Sequence, residues 1–133
     1  MPLYYLDASI GIQALLDTPH RQGLIAWIDQ PQNAFVSSRL LRTEIARVLW
    51  REGQSVLVGE PLLSRIGLFD VTEKTHQLAE AITTHVKTLD ALHLATALLI
   101  PEVVTVATHD MRMAGAAALL GLPTLDPIEA LPA

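Results

Sequence analysis

Short apolar runs of strand length alternate along this chain with longer stretches whose apolar residues recur at helical spacing. Leu3–Leu6 predicts a first strand, followed by a helical pattern over Ile10–Leu16. Thr18-Pro19 starts a second helix, His20–Asp29, with proline near the first turn, where its missing N–H is no loss. Pro31–Asn33 reads as a turn and Ala34–Ser37 as a second strand. Ser38 is the N-cap of a long helix through Arg51, ended by Gly53. Ser55–Arg65 predicts another helix, interrupted or started near Pro61, and Gly67–Val71 a third strand. Thr72 caps Glu73–Thr84, with Thr75 standing where a capping box has Glu. Thr88–Ile100 is a helix stopped by Pro101, and Val103–Thr108 is the most strand-like run in the chain. Met111–Leu120 is Ala-rich and helical, Gly121 suits its C′ position, and Pro123–Leu125 reads as a short last strand.

Strand and helix alternate with few tight hairpin signals. The pattern therefore predicts an α/β fold whose strands are parallel and covered by helices on both faces. The 133 residues fit one domain, 1–133, and half of them are hydrophobic. A chain of this size buries about two-thirds of its unfolded surface. Cysteine is absent, which removes disulfides, thiolate metal sites and Cys nucleophiles from consideration. Met1–Leu6 lacks a basic region and is cut short by Asp7, so it does not read as a signal peptide. The apolar stretch Leu89–Thr108 carries Asp90, His93, Pro101 and Glu102, unsuited to a bilayer span. The expectation is a cytoplasmic protein without a membrane partner.

Net charge is −5, from 9 Lys+Arg against 14 Asp+Glu, which on its own argues against a nucleic-acid partner. The balance changes if several acids serve a cation. Four carboxylates occupy positions of that kind. Asp7 and Asp110 follow predicted strands, and Asp90 lies in the first turn of a predicted helix. Glu44 interrupts an apolar helical stripe, with Leu40, Leu41 and Val48 at i−4, i−3 and i+4. In an open parallel sheet, residues beyond the carboxyl ends of the strands share one crevice. Four oxygen donors there suit a hard cation such as Mg²⁺ or Mn²⁺. Taken singly, Asp7, Asp90 and Asp110 also read as helix caps. Glu44 alternatively reads as the partner of a buried Arg. Ser9 and Thr108 lie two residues from Asp7 and Asp110, placed either to orient the acids or to cap helices. Arg39, Arg42, Arg47 and Arg51 lie on one predicted helix, as phosphate contacts or a solvated face. The five histidines have no metal-ligand spacing. His93 reads as packed on its helix; His109, beside Asp110, is the one nearest the acids.

The segments Tyr5-Leu6-Asp7-Ala8-Ser9, Arg42-Thr43-Glu44, Leu89-Asp90-Ala91-Leu92-His93-Leu94-Ala95 and Ala107-Thr108-His109-Asp110 together resemble the PIN-domain nucleases. In size and motif spelling the chain is most similar to the VapC toxins of type II toxin–antitoxin pairs, from Leu3 to Leu125. The resemblance implies a four- or five-stranded sheet and an endoribonuclease that uses Mg²⁺, with Mn²⁺ as a substitute. Asp7, Glu44, Asp90 and Asp110 would be its metal-holding quartet, with Ser9 and Thr108 supporting them. Arg39, Arg42 and Arg112 are candidate RNA contacts. The family precedent is cleavage to 5′-phosphate and 3′-hydroxyl ends. It also implies a small antitoxin as partner and a homodimer, in a heterotetramer or larger assembly with that antitoxin. Some relatives carry an extra acid shortly after the last of the four; this chain has Met111, Arg112 and Met113 there.

Other classes fit less well. An aspartate-based phosphatase of the haloacid-dehalogenase kind wants Asp-x-Asp after its first strand, where this chain has Asp7-Ala8-Ser9. A receiver domain wants paired acids there and a late lysine, whereas the last lysine is Lys87. No Gly-rich phosphate loop is present. A catalytically weak PIN-fold module that binds RNA or protein is the remaining alternative.

Overall fold

Leu3–Leu6 forms the central strand, β1, and its alternating side chains divide the molecule into two cores. Leu6 packs on one face with Ile10, Leu24, Leu41, Ile45 and Leu49, and Tyr5 packs on the other with Leu94, Val106, Met113 and Ala117. The computed structural model describes residues 2–131. Around β1 lie β2 (Ala34–Ser38), β3 (Ile66–Phe69), β4 (Thr105–Ala107) and β5 (Thr124–Leu125), in the order β3-β2-β1-β4-β5. Every pairing is parallel. The expected parallel α/β sheet of four to five strands is thus present.

The helices are α1 (Ala8–Leu15), α2 (Arg21–Ile28), α3 (Leu40–Arg51), α4 (Glu60–Leu63), α5 (Glu73–Ala81), α6 (Thr88–Leu99) and α7 (Met111–Leu119). In α3 the stripe Leu41, Ile45 and Leu49 is almost completely buried. Truncating one of these to Ala costs about 2–5 kcal/mol. Gly53 and Gly121 have φ of 69° and 83°, which a side chain would strain, and they end α3 and α7.

Several element ends differ from the sequence expectation. β2 extends through Ser38, so Arg39 takes the N-cap position of α3. Ser38 still serves the helix start, because its hydroxyl accepts from the Leu40 N–H at 3.1 Å. Helix α2 starts at Arg21, beyond Pro19. Ser55–Arg65 is not one helix. A 3-10 turn, Val56–Gly59, precedes α4, with Pro61 in the first turn of α4. The strand-like run Val103–Thr108 pairs only over Thr105–Ala107. Thr72 does form a reciprocal capping box, with the Thr75 hydroxyl doing what Glu does in the usual motif. Among the described residues, no helix is long and apolar enough to cross a membrane.

Candidate active site: an acidic quartet on one sheet edge

Because all the strands run the same way, the residues that follow them emerge on one edge. β1 delivers Asp7 there, and β4, paired with β1 through Leu6 and Ala107, delivers Thr108 and Asp110. Asp7 occupies the N-cap position of α1 yet makes no side-chain cap bond. It is 5 % exposed, and its Oδ2 accepts hydrogen bonds from the hydroxyls of Ser9 and Thr108, both at 2.8 Å. Each hydroxyl also accepts a backbone N–H: Ser9 from His109 at 3.1 Å, Thr108 from Asp110 at 3.0 Å. Ser9 and Thr108 therefore hold a buried acid rather than cap helices.

Asp110 does act as a cap. Its Oδ1 accepts from the N–H groups of Arg112 and Met113 at 2.8 and 3.3 Å. This fixes the carboxylate at the start of α7 with one oxygen committed. Asp90 lies in the first turn of α6. Its pKa is raised, first by partial burial and then by the negative charges of Asp7 and Asp110, with Glu44 adding and His93 opposing. The favourable helix N-terminus is outweighed. The fold brings these elements to one edge: Thr108 joins Asp7 to Asp110, and Glu44 on α3 meets His93, three residues beyond Asp90 on α6.

Glu44 differs from its sequence reading in surroundings and partner. Its side chain is 23 % exposed rather than sealed in the apolar stripe, and it meets no arginine. Its Oε1 lies 2.5 Å from Nε2 of His93, which is fully buried, and Nδ1 of His93 lies 2.7 Å from the Tyr5 hydroxyl. Burial pushes the Tyr5 hydroxyl well above its ordinary pKa, which keeps it a neutral donor. Sequence reasoning placed His93 on its helix and missed this contact. The available signal was Asp90-x-x-His93, a spacing that puts both on one helix face.

The basic side chains divide. Arg42 is engaged with Glu60 at 2.7 Å, and Arg39 donates to the Thr43 hydroxyl at 3.1 Å. Arg112 instead lines a cleft of about 470 Å³ together with Asp90, Asp110, His85, Lys87 and Met111. Lys87 and His85 were not singled out in the sequence. The tryptophans divide too: Trp27 packs edge-on against Tyr4 and Phe35, whereas Trp50 is 75 % exposed.

His109 hydrogen-bonds Asp126 through Nδ1 at 2.7 Å. Among the described residues, His109, Asp126 and Glu129 form the one trio whose potential ligand atoms lie within 4.8 Å of one another. No three of the four quartet acids bring ligand atoms within that distance of one another. No Lys or Arg among the described residues forms an ion pair with a quartet acid. A set of hard oxygen donors in excess of nearby positive charge fits a divalent cation.

The comparisons with known proteins agree with this geometry. The family model described as PIN domain matches residues 4–119. The chain is 32 % identical over 130 residues to Ribonuclease VapC46 of Mycobacterium tuberculosis, covering 96 % of this chain and 99 % of that protein. Among solved structures, a toxin–antitoxin complex from Klebsiella pneumoniae aligns with a TM-score of 0.68 at 22 % identity, over 96 % of this chain and 98 % of that one. VapBC2 from Rickettsia felis, bound to a promoter DNA fragment, aligns at 0.66 and 19 % identity, over 92 % and 97 %. At those identities the two structures speak for the fold; the family and sequence matches carry the assignment. With its parallel sheet and the acids at the sheet's edge, the chain belongs to the PIN domain family, in its VapC branch.

Proposed function

We propose that this protein is a divalent-metal-dependent endoribonuclease, the toxin of a toxin–antitoxin pair. The observation that carries the reading is the placement of Asp7, Glu44, Asp90 and Asp110 around one sheet edge, with the Thr108 hydroxyl joining Asp7 to Asp110 and Glu44 bonded to His93, three residues beyond Asp90 on α6. Support comes from the similarity to a protein named as a ribonuclease and from the fold shared with toxin–antitoxin complexes.

The four acids would hold Mg²⁺, with Mn²⁺ as a substitute. Such a cation, when bound, supplies a Lewis acid for the phosphate and lowers the pKa of its water. The chain's own residues set the rest. Ser9 and Thr108 fix the orientation of Asp7 and satisfy one of its oxygens. The N–H groups at the start of α7 fix Asp110. Arg112 and Lys87, which line the cleft beside Asp90 and Asp110, would meet backbone phosphates of the RNA. Arg39 and Arg42 are more remote contributors, with Arg42 first having to leave Glu60. Water attacks phosphorus and the 3′ oxygen departs, giving 5′-phosphate and 3′-hydroxyl ends.

The partner is a small antitoxin, and the toxin itself forms a homodimer, within a heterotetramer or larger assembly. The exposed side chains of Trp50, Val56 and Leu57, at 75 %, 51 % and 71 %, support apolar association surfaces. The test is cleavage of a structured RNA by antitoxin-free protein with Mg²⁺, with Mn²⁺ and with EDTA, beside Asp7→Asn. Cleavage that needs both the metal and Asp7 is expected. Equal activity in Asp7→Asn sinks the assignment of the site. Silence from folded, Mn²⁺-loaded protein moves the reading to a binding module.

A further inference from the structure

The geometry points to His93 as the positioning residue for Glu44, through a buried Tyr5–His93–Glu44 relay that sets how this carboxylate is presented to the quartet. The inference rests on the nuclease reading above and deepens it.

Three facts lead to it. First, His93 is fully buried, and both its ring nitrogens are engaged, Nδ1 with the Tyr5 hydroxyl at 2.7 Å and Nε2 with Glu44 Oε1 at 2.5 Å. Second, the chemistry dictates one direction. An ionised Glu44 only accepts, so Nε2 donates to it whichever protons the ring carries, and Nδ1 shares the second bond with the Tyr5 hydroxyl. The direction is thus assigned from the hydrogen-bond network. The hydroxyl that anchors the relay is itself buried among Ser37, Thr96 and the Ser38 backbone. Third, the relay parallels the acid set. Tyr5 lies on β1 two residues before Asp7, and His93 follows Asp90 by three on the same face of α6. Glu44 is both the end of the relay and a member of the quartet. One chain of hydrogen bonds therefore ties together the three elements that carry Asp7, Glu44 and Asp90.

The consequence concerns a side chain with three rotatable bonds on a helix face. Glu44 is part-exposed, and like charges on Asp7, Asp90 and Asp110 would drive it outward. The bond from His93 holds Oε1 in place, leaving Oε2 as its free donor. A His–carboxylate pair that orients a metal-holding group from behind typically changes metal affinity or activity by about 10–100-fold when broken.

The test uses full-length protein and Mn²⁺ itself as probe, with binding followed by calorimetry and by the Mn²⁺ EPR signal, and folding by thermal melting. In His93→Leu, Mn²⁺ affinity should fall by about 10–100-fold. His93→Gln, whose side-chain amide can donate to Glu44 from the place of Nε2, should recover most of that loss. Tyr5→Phe keeps the ring volume and frees Nδ1, and should weaken Mn²⁺ binding several-fold while remaining folded. Parent-like affinity in folded His93→Leu overturns the inference. Should that variant not fold, parent-like affinity in Tyr5→Phe overturns it instead. A His93→Gln variant as defective as His93→Leu does so too, because a mere packing role predicts no rescue. A parent that binds no Mn²⁺ overturns the nuclease reading as well, which separates the two failures.

Discussion

The Thr108 hydroxyl donates to Oδ2 of Asp7 at 2.8 Å and accepts the Asp110 N–H at 3.0 Å. One small side chain at the end of β4 therefore joins two acids from neighbouring strands. Thr108→Val keeps the shape and removes both bonds, leaving a buried carboxylate oxygen and a backbone N–H short of partners. The expected loss is about 1–3 kcal/mol of stability, measured by urea unfolding, together with a fall in cleavage rate. An unchanged unfolding midpoint would show that the hydroxyl is dispensable.

Asp90 gives a pH signature in metal-free protein. Its folded pKa is raised above the ordinary 3.8 by burial and by the neighbouring acids. Between that ordinary value and the raised one, the folded state binds more protons than the unfolded state, so stability falls as pH rises. The destabilisation is complete above the folded pKa and disappears as pH falls toward 3.8. With EDTA present, Asp90→Asn should therefore be more stable than the parent at pH 7 and show a flatter dependence below it. Unfolding midpoints measured from pH 4 to 7 check this, and parallel curves for parent and variant would contradict it.

Arg112 stands where some relatives have an extra acid, and it lines the cleft with Lys87. Arg112→Ala should raise KM for RNA far more than it lowers kcat. It should also reduce the slope of log affinity against log salt by about 1, as loss of a single phosphate contact does. An unchanged salt slope would remove Arg112 from the RNA interface.

Glu44→Gln separates the fold from the chemistry. The amide oxygen still accepts from His93, so thermal stability without metal should be kept or slightly increased by the loss of a crowded charge. Cleavage should fall by more than the roughly 10–100-fold typical of groups that only support a ligand. A variant that unfolds would mean that the Glu44 charge facing His93 holds the structure together.

The alternation of apolar runs was enough to read the parallel sheet, because strands buried on both faces leave short apolar segments between helical stripes. The acids at the ends of β1 and β4 were legible for the same reason. What the chain order hid was pairing across space. Glu44 and His93 are separated by 49 positions, and no local periodicity reports which buried group will face a half-buried acid. The stripe around Glu44 suggested an arginine; the fold supplied an imidazole from α6. Likewise His109, Asp126 and Glu129 meet only because β4 and β5 lie side by side. The misplaced end of β2 has a local cause. Ser38 is competent both as a strand residue and as an acceptor for the next helix, and pairing with Phe69 on β3 decided in favour of the strand.

The place of β4 in the sheet bears on how the protein comes into being. β4 pairs directly with β1, yet the paired residues Tyr4 and Thr105 are far apart in the chain, and β2, β3 and six helices lie between them. Until β4 is in place, the chain keeps one edge of β1 open and leaves Asp7 without the Thr108 hydroxyl. A fragment that ends before β4 holds only three of the four acids, Asp7, Glu44 and Asp90. On the proposed nuclease reading, late closure of the sheet ties completion of the acidic quartet to completion of the fold, because the strand that shields the edge of β1 also leads into Asp110.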